Sequence, residues 1–395
     1  MSRFKYDFDT VTDRRATYAS KWDVRENELP MSIADMEFKC APAIRHALEK
    51  RLENGIFGYT DIPDVWYRAY TDWWQKRHGL TIKKDEFVFC TGVIPAISSA
   101  VRKLSTPAEK VVIQTPVYNI FWNCVLNNGR EILENPLIYE NGIYRIDWAD
   151  LEEKLSDPQT RLMILCNPHN PIGKRWDKET LARIGEMAEK NGVTVISDEI
   201  HCDVTDPDCA YVPFASASET CSRISVTCIA PTKCFSIPGL QTAAVFAKDP
   251  LLRHKMWRAL NTDEVAEPSA FAIDAAVAAF NEGAEWLDEM RAYVYENKQM
   301  LKEALKSVPG VSVVDSDATY LLWLDVSGIT EDGRALSTFL RTETGLILTP
   351  GPVYGKGGEH FLRWNAACPR SMMEDGLRRF LKGVEQFREN GHEEA

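Results

Sequence analysis

Short apolar segments alternate with helical segments through the middle of the chain, and this pattern restricts the fold more than any other feature. The apolar segments predict strands at Phe87–Cys90, Val111–Thr115, Arg161–Cys166, Val193–Ser197, Ser222–Ile229 and Thr242–Ala247. Residues 94–104 and 177–191, which lie between them, are predicted helices. Such alternation is typical of a parallel sheet covered by helices on both faces. We therefore predict an α/β fold.

The two ends of the chain have a different pattern. After a long predicted helix that starts near Ala284, strands and helices follow at Val311–Val314, Tyr320–Val326, Glu331–Thr342, His360–Asn365 and Met373–Phe387. We predict a large domain over residues 40–283, a small α+β domain over 284–395, and an N-terminal segment, 1–39, that packs with the small domain. A cleft between two domains is the expected ligand site.

Composition excludes several classes of function. The net charge of −12 argues against binding to nucleic acid or to an anionic membrane surface, because both need a basic face. No stretch has the length and apolarity of a membrane span, and the first fifteen residues lack the apolar core of a signal peptide. The ten cysteines form no CxxC pair, which is typical of reduced thiols. We predict a cytoplasmic protein without a metal site.

Lys233 is the first candidate catalytic residue. It follows the apolar strand that ends at Ile229 and enters a segment of small residues, Ala230–Leu240. Desolvation at such a position lowers the pKa of an amine and makes it a nucleophile that can form a Schiff base. The alternative is a strand-end lysine whose charged group extends to solvent.

Asp198 and Asn170 follow two other predicted strands. Ligands of α/β sheets bind at the carboxyl ends of the strands, and a carboxylate at Asp198 can pair with a protonated pyridine nitrogen there. Its alternative role is to cap a helix. Asn170 lies in the segment Asn167–Gly173, N-P-H-N-P-I-G, where two prolines and a glycine predict a rigid turn. That turn would present the Asn170 amide to a cofactor oxygen.

Further candidates lie at other strand ends. Gly92 opens the helix that follows the first predicted strand, and backbone N–H groups at a helix start suit a phosphate, to which Thr232 would add a hydroxyl. Tyr118 would stack on a planar ring, although an ordinary core tyrosine is the alternative. Arg363 lies within an apolar strand, where its guanidinium would bind a carboxylate in a bidentate manner or form a structural ion pair.

Together, these segments resemble the fold-type I enzymes of the class I/II aminotransferase superfamily, which use pyridoxal 5'-phosphate (PLP). More closely, they resemble the MalY/PatB branch of C–S lyases of the cystathionine β-lyase type. The similar segments span nearly the whole chain in the expected order: Ile33–Phe38, Phe57–Tyr59, Thr115–Tyr118, Asn167–Gly173, Ser197–His201, Thr232–Lys233 with Ile237–Leu240, and Leu362–Asn365. The resemblance implies a mostly parallel seven-stranded sheet flanked by helices, a smaller α+β domain and PLP as cofactor.

The resemblance also implies a role for each candidate residue around the cofactor. Lys233 would bind PLP covalently, and Asp198 would pair with its pyridine nitrogen. Asn170 would contact the ring hydroxyl, Tyr118 would stack on the ring as a further catalytic residue, and His201 would face the ring. The phosphate would be held by Gly92, Val93, Ile94 and Thr232.

The substrate and the partner subunit are implied in the same way. Arg363 would bind the substrate α-carboxylate, with Asn170 and Ala34 beside it. Tyr59 would reach the phosphate from the neighbouring subunit, so that a homodimer with shared active sites is expected. The implied reaction is α,β-elimination from a small sulfur-containing amino acid, such as cystathionine or cysteine, to a thiol, pyruvate and ammonia.

One position departs from the superfamily pattern, and alternatives remain open. The general aminotransferase signature has an arginine eight residues after the lysine, where this chain has Gln241. The loss of that contact to the phosphate favours the lyase branch. An aminotransferase on the same scaffold is the second hypothesis, because it would use the same Lys233, Asp198 and Arg363. A third is a bifunctional lyase that also binds a regulatory protein.

Overall fold

The computed structural model describes residues 3–390, so that residues 1–2 and 391–395, at the ends of the first and last predicted units, lie outside the described residues. The strands are β1 (Leu29–Pro30), β2 (Phe87–Cys90), β3 (Lys110–Ile113), β4 (Glu131–Glu134), β5 (Ile138–Glu140), β6 (Ile143–Arg145), β7 (Thr160–Cys166), β8 (Thr194–Asp198), β9 (Ser225–Ile229), β10 (Ala243–Phe246), β11 (Ser312–Val313), β12 (Leu321–Asp325), β13 (Leu346–Ile347), β14 (Thr349–Pro350) and β15 (Phe361–Asn365).

The α-helices within the same range lie before, between and after these strands. They are α1 (Pro42–Asn54), α2 (Asp64–His78), α3 (Val93–Leu104), α4 (Ile120–Leu126), α5 (Trp148–Ser156), α6 (Lys178–Lys190), α7 (Phe214–Ala217), α8 (Glu219–Ile224), α9 (Pro250–Thr262), α10 (Ala272–Glu282), α11 (Ala284–Leu305), α12 (Gly333–Thr344) and α13 (Arg370–Glu389). Short 3-10 turns connect several of them.

A large sheet runs through the described residues in the order β2-β10-β9-β8-β7-β3-β4. The strands from β9 to β4 are parallel, and β10 is antiparallel to both of its neighbours. The predicted α/β fold with a mostly parallel seven-stranded sheet is therefore confirmed. Because the parallel strands point the same way, the residues that follow β7, β8 and β9 meet at one edge of the sheet.

Helices cover both faces of this sheet because its side chains alternate between the faces. In β7, Leu162 and Ile164 pack with α3, α4 and α9, whereas Met163 and Leu165 pack with α5, α6 and α7. Strands that are buried on both faces are continuously apolar, which is why most of them could be predicted from the sequence. Asp177 caps α6, since its carboxylate accepts a hydrogen bond from the Thr180 N–H.

The structure differs from the predicted strands in two places. The predicted strand Ser222–Ile229 starts too early, because its first residues belong to α8 and the strand begins only at Ser225. The edge strand β4 was not predicted at all. It has a glutamate at each end and is half exposed, so it lacks the apolar run that marks the central strands.

A second, antiparallel sheet in the order β11-β12-β15-β14 packs with α11, α12 and α13 through a separate apolar cluster. The N-terminal segment joins this cluster, because β1 pairs with β13 in parallel and Met31 is buried within the cluster. These contacts support the division into an N-terminal segment 1–39, a large domain 40–283 and a small domain 284–395, which we retain as a proposal. Among the described residues, no helix combines the length and apolarity needed to cross a membrane.

Gly173 joins the turn after β7 to the small sheet. Its φ is +67°, a left-handed conformation that side chains rarely adopt. A Cβ atom at this position would lie 2.7 Å from the Ser316 Cβ and 2.9 Å from the Ala318 carbonyl oxygen. Residue 173 must therefore be a glycine, because any side chain would prevent the turn from lying this close to residues 316–318.

We predict that Gly173→Ala lowers the free energy of unfolding by about 2–4 kcal/mol, the sum of a left-handed backbone penalty and overpacking. Gly192→Ala is the matched control, since Gly192 has a φ of +68° but no atom within 4 Å of a built Cβ. It should cost only about 1 kcal/mol. Urea unfolding of both variants measures the difference, and equal losses would contradict the close-contact explanation.

Candidate active site

A cavity of about 870 Å³ lies between the carboxyl edge of the large sheet and the small sheet. Its wall contains every candidate residue predicted from the sequence except Tyr59: Ala34, Gly92, Val93, Ile94, Tyr118, Asn170, Asp198, His201, Thr232, Lys233 and Arg363. The turns after β2, β3, β7, β8 and β9 carry most of them, and β15 carries Arg363. Residues that are far apart in sequence thus face one enclosed space.

Lys233 points into this cavity. Its Nζ donates a hydrogen bond to the Ala34 carbonyl oxygen, and burial lowers the pKa of its amine to about 8. The nearby Asp35 carboxylate opposes this shift, because a negative charge favours the protonated amine. The alternative of a lysine that extends to solvent is therefore wrong. The environment instead provides an amine that is partly neutral near physiological pH.

Asp198 ends β8 and is 4% exposed. Burial raises the pKa of its carboxyl to about 7, although the Ile200 N–H, 3.1 Å from Oδ1, and the Lys233 charge oppose the rise. No described basic side chain forms an ion pair with Asp198. A cationic ligand group in the cavity would stabilise its ionised form, which agrees with pairing to a protonated ring nitrogen.

Arg363 and Asn170 form a hydrogen-bonded pair on the opposite wall. The Arg363 Nη1 lies 3.1 Å from the Asn170 Oδ1, and its Nη2 donates to the Ser32 carbonyl oxygen at 2.7 Å. The guanidinium is 5% exposed, its Nε has no hydrogen-bond partner, and no described carboxylate forms an ion pair with it. A structural ion pair, the alternative considered from the sequence, is therefore absent from the described residues. A buried arginine of this kind has unused capacity for an anionic ligand.

The start of α3 forms another part of the wall. Gly92 is the residue before the helix, and the N–H groups of the first helical turn have no partner within the helix. A Cβ at Gly92 would lie 3.1 Å from the Pro95 Cδ, so glycine keeps this corner open. Thr232 and Gln241 line the same cavity, and Thr232 is buried. These groups provide donors for a phosphate.

Tyr118 and His201 complete the aromatic lining. Tyr118 is half-buried, and burial together with the Asp198 charge raises the pKa of its hydroxyl to about 12. His201 is buried, and burial lowers the pKa of its imidazole to about 3, with the Lys233 and Arg363 charges acting in the same direction. The imidazole is therefore neutral at neutral pH, and its Nδ1 has no hydrogen-bond partner.

Several residues of the site were not predicted from the sequence. Tyr320 donates a hydrogen bond to the Ala34 carbonyl oxygen, and Asn365 donates to the carbonyl oxygens of Ile33 and Asp35. The face of α12 also lines the cavity, through Ser337, Thr338, Arg341 and Thr342. Asn365 could have been found, because it lies in the segment Leu362–Asn365 that resembles the family. Tyr320 and the α12 face belong to no recognisable motif.

Tyr59 lies outside the cavity of its own chain. It is fully exposed, in the loop between α1 and α2. Leu52, Ile56 and Phe57 near it are also more than half exposed. Large apolar side chains that are exposed together are typical of an interaction site.

The cavity residues fit PLP as a group. A desolvated amine, a buried carboxylate, an aromatic ring and a helix start match the aldehyde, the pyridine nitrogen, the ring face and the phosphate of this cofactor. The Asn170 Nδ2 donates to no described residue, so it remains available for a ring oxygen. The Arg363 guanidinium has no carboxylate partner among the described residues, so it can bind the carboxylate of an amino acid.

Comparisons with known proteins identify the family of the chain. The chain is 42% identical to the cystathionine beta-lyase PatB of Bacillus subtilis over 94% of its length and 98% of that protein. It is 32% identical to the protein MalY of Escherichia coli over 97% of its length and 100% of that protein. The crystal structure of cystalysin from Treponema denticola, which contains PLP, superposes with a TM-score of 0.93 at 29% identity and covers 96% of this chain and 99% of that one. The family model of class I and II aminotransferases matches residues 26–380, and the chain belongs to this family.

Proposed function

We propose that the protein is a PLP-dependent C–S β-lyase that cleaves small S-substituted cysteines, such as cystathionine, to a thiol, pyruvate and ammonia. The observation that carries this proposal is one cavity that contains the Lys233 amine, the Asp198 carboxylate and the Arg363 guanidinium, which has no ion-pair partner among the described residues. The relatives that match nearly the whole length of the chain include a cystathionine beta-lyase, which supports the reaction type.

Each wall of the cavity would hold one part of the cofactor. Lys233 would bind it covalently, Asp198 would hold the proton of its pyridine nitrogen, and Asn170 would donate to its ring hydroxyl. Tyr118 would cover the ring, with the neutral imidazole of His201 also facing it. The phosphate would lie at the start of α3, among the donors of Gly92, Val93, Ile94 and Thr232.

The substrate would be oriented by its α-carboxylate. Arg363 would bind the carboxylate through its Nε–H, which has no partner among the described residues, together with an adjacent N–H, and Asn170 and Ala34 would flank it. The neutral amine of Lys233 would then remove the proton from the substrate Cα. Bound PLP supplies the electron sink that makes this proton acidic.

The C–S bond breaks in the same substrate. The electron pair left at Cα forms a double bond to Cβ, and the sulfur leaves with the electrons of the C–S bond and takes a proton to become a thiol. The released enamine hydrolyses to pyruvate and ammonia. The lowered pKa of Lys233, about 8, keeps a useful fraction of the amine in its basic form near neutral pH.

An aminotransferase on this scaffold is the second candidate, because the matching family model describes aminotransferases and the same residues serve both reactions. Gln241 favours the lyase, since the superfamily pattern has an arginine at this position. The two reactions differ in one requirement. A lyase releases pyruvate from its substrate alone, whereas an aminotransferase needs a 2-oxo acid acceptor.

We further propose a homodimer in which Tyr59 contributes to the partner's site. Tyr59 is fully exposed and is not part of its own cavity wall, and the nearby residues in sequence Leu52, Ile56 and Phe57 also have exposed apolar side chains. A two-fold interface that buries this patch would place each Tyr59 at the other chain's cavity. The cytoplasm is the proposed compartment, because all ten cysteines are free thiols.

We predict that the purified protein releases pyruvate from L-cystathionine without an added 2-oxo acid and that Lys233→Ala abolishes this release. The variant should also lose the visible absorption of the covalently bound cofactor, because Lys233 is the only lysine among the described residues that line the cavity. Lys174→Ala, on the far side of the Asn167–Gly173 turn, is the matched control and should keep both properties. Strict dependence on a 2-oxo acid would instead establish the aminotransferase.

For Arg363→Ala we expect KM to rise by about 100-fold, because a charge-assisted bidentate contact to the substrate carboxylate is lost. The cofactor should remain bound with an unchanged visible spectrum. Arg175→Ala removes an arginine that is paired with Asp317 outside the cavity and serves as the control. If Arg363→Ala loses the cofactor while KM stays unchanged, the assignment to the carboxylate is wrong.

Shared active sites predict complementation between two inactive chains. We expect differently tagged Lys233→Ala and Tyr59→Ala chains, co-expressed and purified as a heterodimer, to recover about half of the wild-type activity, because one of the two sites is then intact. The control heterodimer combines Lys233→Ala with a chain that carries both substitutions, and it should be inactive. Equal activity of the two heterodimers would show that Tyr59 does not act across the interface.

A further inference from the structure

The Ala34 carbonyl oxygen accepts hydrogen bonds from two side chains on opposite sides. One donor is the Nζ of Lys233, and the other is the hydroxyl of Tyr320, whose oxygen lies 3.0 Å away. Tyr320 is fully buried, so no water competes for its hydroxyl group. The bond between Tyr320 and Ala34 therefore fixes one end of a chain of hydrogen bonds that leads to the candidate base.

The backbone holds Tyr320 in place through an unusual residue. Thr319, directly before it, has a φ of 62°, which is a rare and costly conformation for a β-branched side chain. The Thr319 N–H donates to the Val204 carbonyl oxygen at 2.6 Å, and its hydroxyl accepts from the Leu321 N–H at 3.1 Å. These bonds stabilise the strained conformation and set the direction from which the Tyr320 ring enters the core.

The two peptide groups beside the Ala34 carbonyl are held as well. The Asn365 Nδ2 donates to the carbonyl oxygens of Ile33 and Asp35, at 2.7 Å in each case. The Asn365 Oδ1 in turn accepts from the Ala367 N–H at 2.8 Å. With Ile33 and Asp35 fixed by one amide group, the Ala34 peptide cannot rotate without breaking several buried bonds.

We propose that Tyr320 and Asn365 are positioning residues that hold the Ala34 carbonyl as the hydrogen-bond acceptor for the free amine of Lys233 and so aim that amine at the substrate Cα. A neutral amine has two N–H groups and one lone pair. Donation of one N–H to a fixed acceptor restricts rotation about the terminal bond and limits the directions of the lone pair. This inference rests on the proposed role of Lys233 as the base, and it adds the groups that orient it.

The charged groups around Lys233 do not belong to this arrangement and would stay unchanged when it is altered. The carboxylates of Asp35 and Asp198 face its amine, as do the cations of Lys21 and Arg363. His201 lies on the same side and is neutral. Removal of the Tyr320 hydroxyl therefore removes one donor to the Ala34 carbonyl oxygen and changes the direction of the amine, while the surrounding charges remain the same.

Tyr320→Phe tests the proposal, because it keeps the buried ring and removes only the donor to Ala34. In the holoenzyme we expect the rate of elimination to fall by about 10-fold to 100-fold, since a misdirected base slows proton transfer. The kinetic isotope effect with substrate deuterated at Cα should rise, while cofactor content and visible spectrum stay unchanged. In the apoprotein, the pH dependence of imine formation with added PLP should shift to lower pH, because a carbonyl group that is no longer held in place makes a poorer hydrogen bond to the protonated amine.

Tyr139→Phe is the matched control, since the Tyr139 hydroxyl donates to Asp325 at 2.9 Å outside the cavity. It should leave the rate, the isotope effect and the imine titration at wild-type values. Asn365→Ala provides an independent variant and should change the isotope effect in the same direction as Tyr320→Phe. The apoprotein titration reports on Lys233 even without turnover, so it separates failure of this proposal from failure of the proposed lyase function.

Two outcomes would overturn the proposal. The first is a Tyr320→Phe enzyme whose rate of elimination stays within about twofold of the wild-type rate, in contrast to the loss expected for a displaced base. Its isotope effect and its imine titration would also be unchanged. The other is loss of cofactor binding in Tyr320→Phe with no change in the isotope effect of the remaining holoenzyme. Either result would show that Tyr320 stabilises the fold and does not position the Lys233 amine.

Discussion

The segment Met31–Phe38 is the connection on which the site depends, because side chains from every part of the molecule bind its carbonyl oxygens. Arg363 binds the oxygen of Ser32, Asn365 binds those of Ile33 and Asp35, and Lys233 binds that of Ala34. Buried carbonyl groups are costly without partners. The segment therefore connects a residue that follows the large sheet with two residues of the small sheet.

The electrostatics of the cavity follow from the same enclosure. Burial shifts the pKa of Lys233 downward and that of Asp198 upward, so that each group is closer to its neutral form than it would be in water. Without a ligand, both pKa shifts therefore make the charged forms of Lys233 and Asp198 less favourable. A ligand that carries a cationic ring and an aldehyde uses both groups, which is why the two shifts favour one class of cofactor.

The sequence was sufficient for six of the seven strands of the large sheet and for most of the candidate site, for identifiable physical reasons. Strands buried on both faces are apolar along their whole length, and the chemistry-bearing residues directly follow them, as Asp198 follows β8. The half-exposed strand β4 lacks this continuous apolar pattern. Contacts that depend on three-dimensional packing leave no pattern in the sequence either. The role of Tyr320 could not be predicted, because a buried tyrosine in a strand has the same sequence pattern whether its hydroxyl is used or not. Tyr59 was found through a family resemblance, since its exposure is a property of the folded surface.

The hydrogen bond between Arg363 and Asn170 has a consequence for selectivity. Arg363 belongs to the small sheet and Asn170 to a turn of the large one, so the bond joins the two layers across the cavity. The guanidinium is already withdrawn from water, and no described carboxylate forms an ion pair with it. A ligand with a carboxylate would compensate this buried charge, whereas a simple amine of similar size would leave it uncompensated. Discrimination against decarboxylated compounds would thus follow from the charge of the cavity wall rather than from the shape of the side-chain pocket.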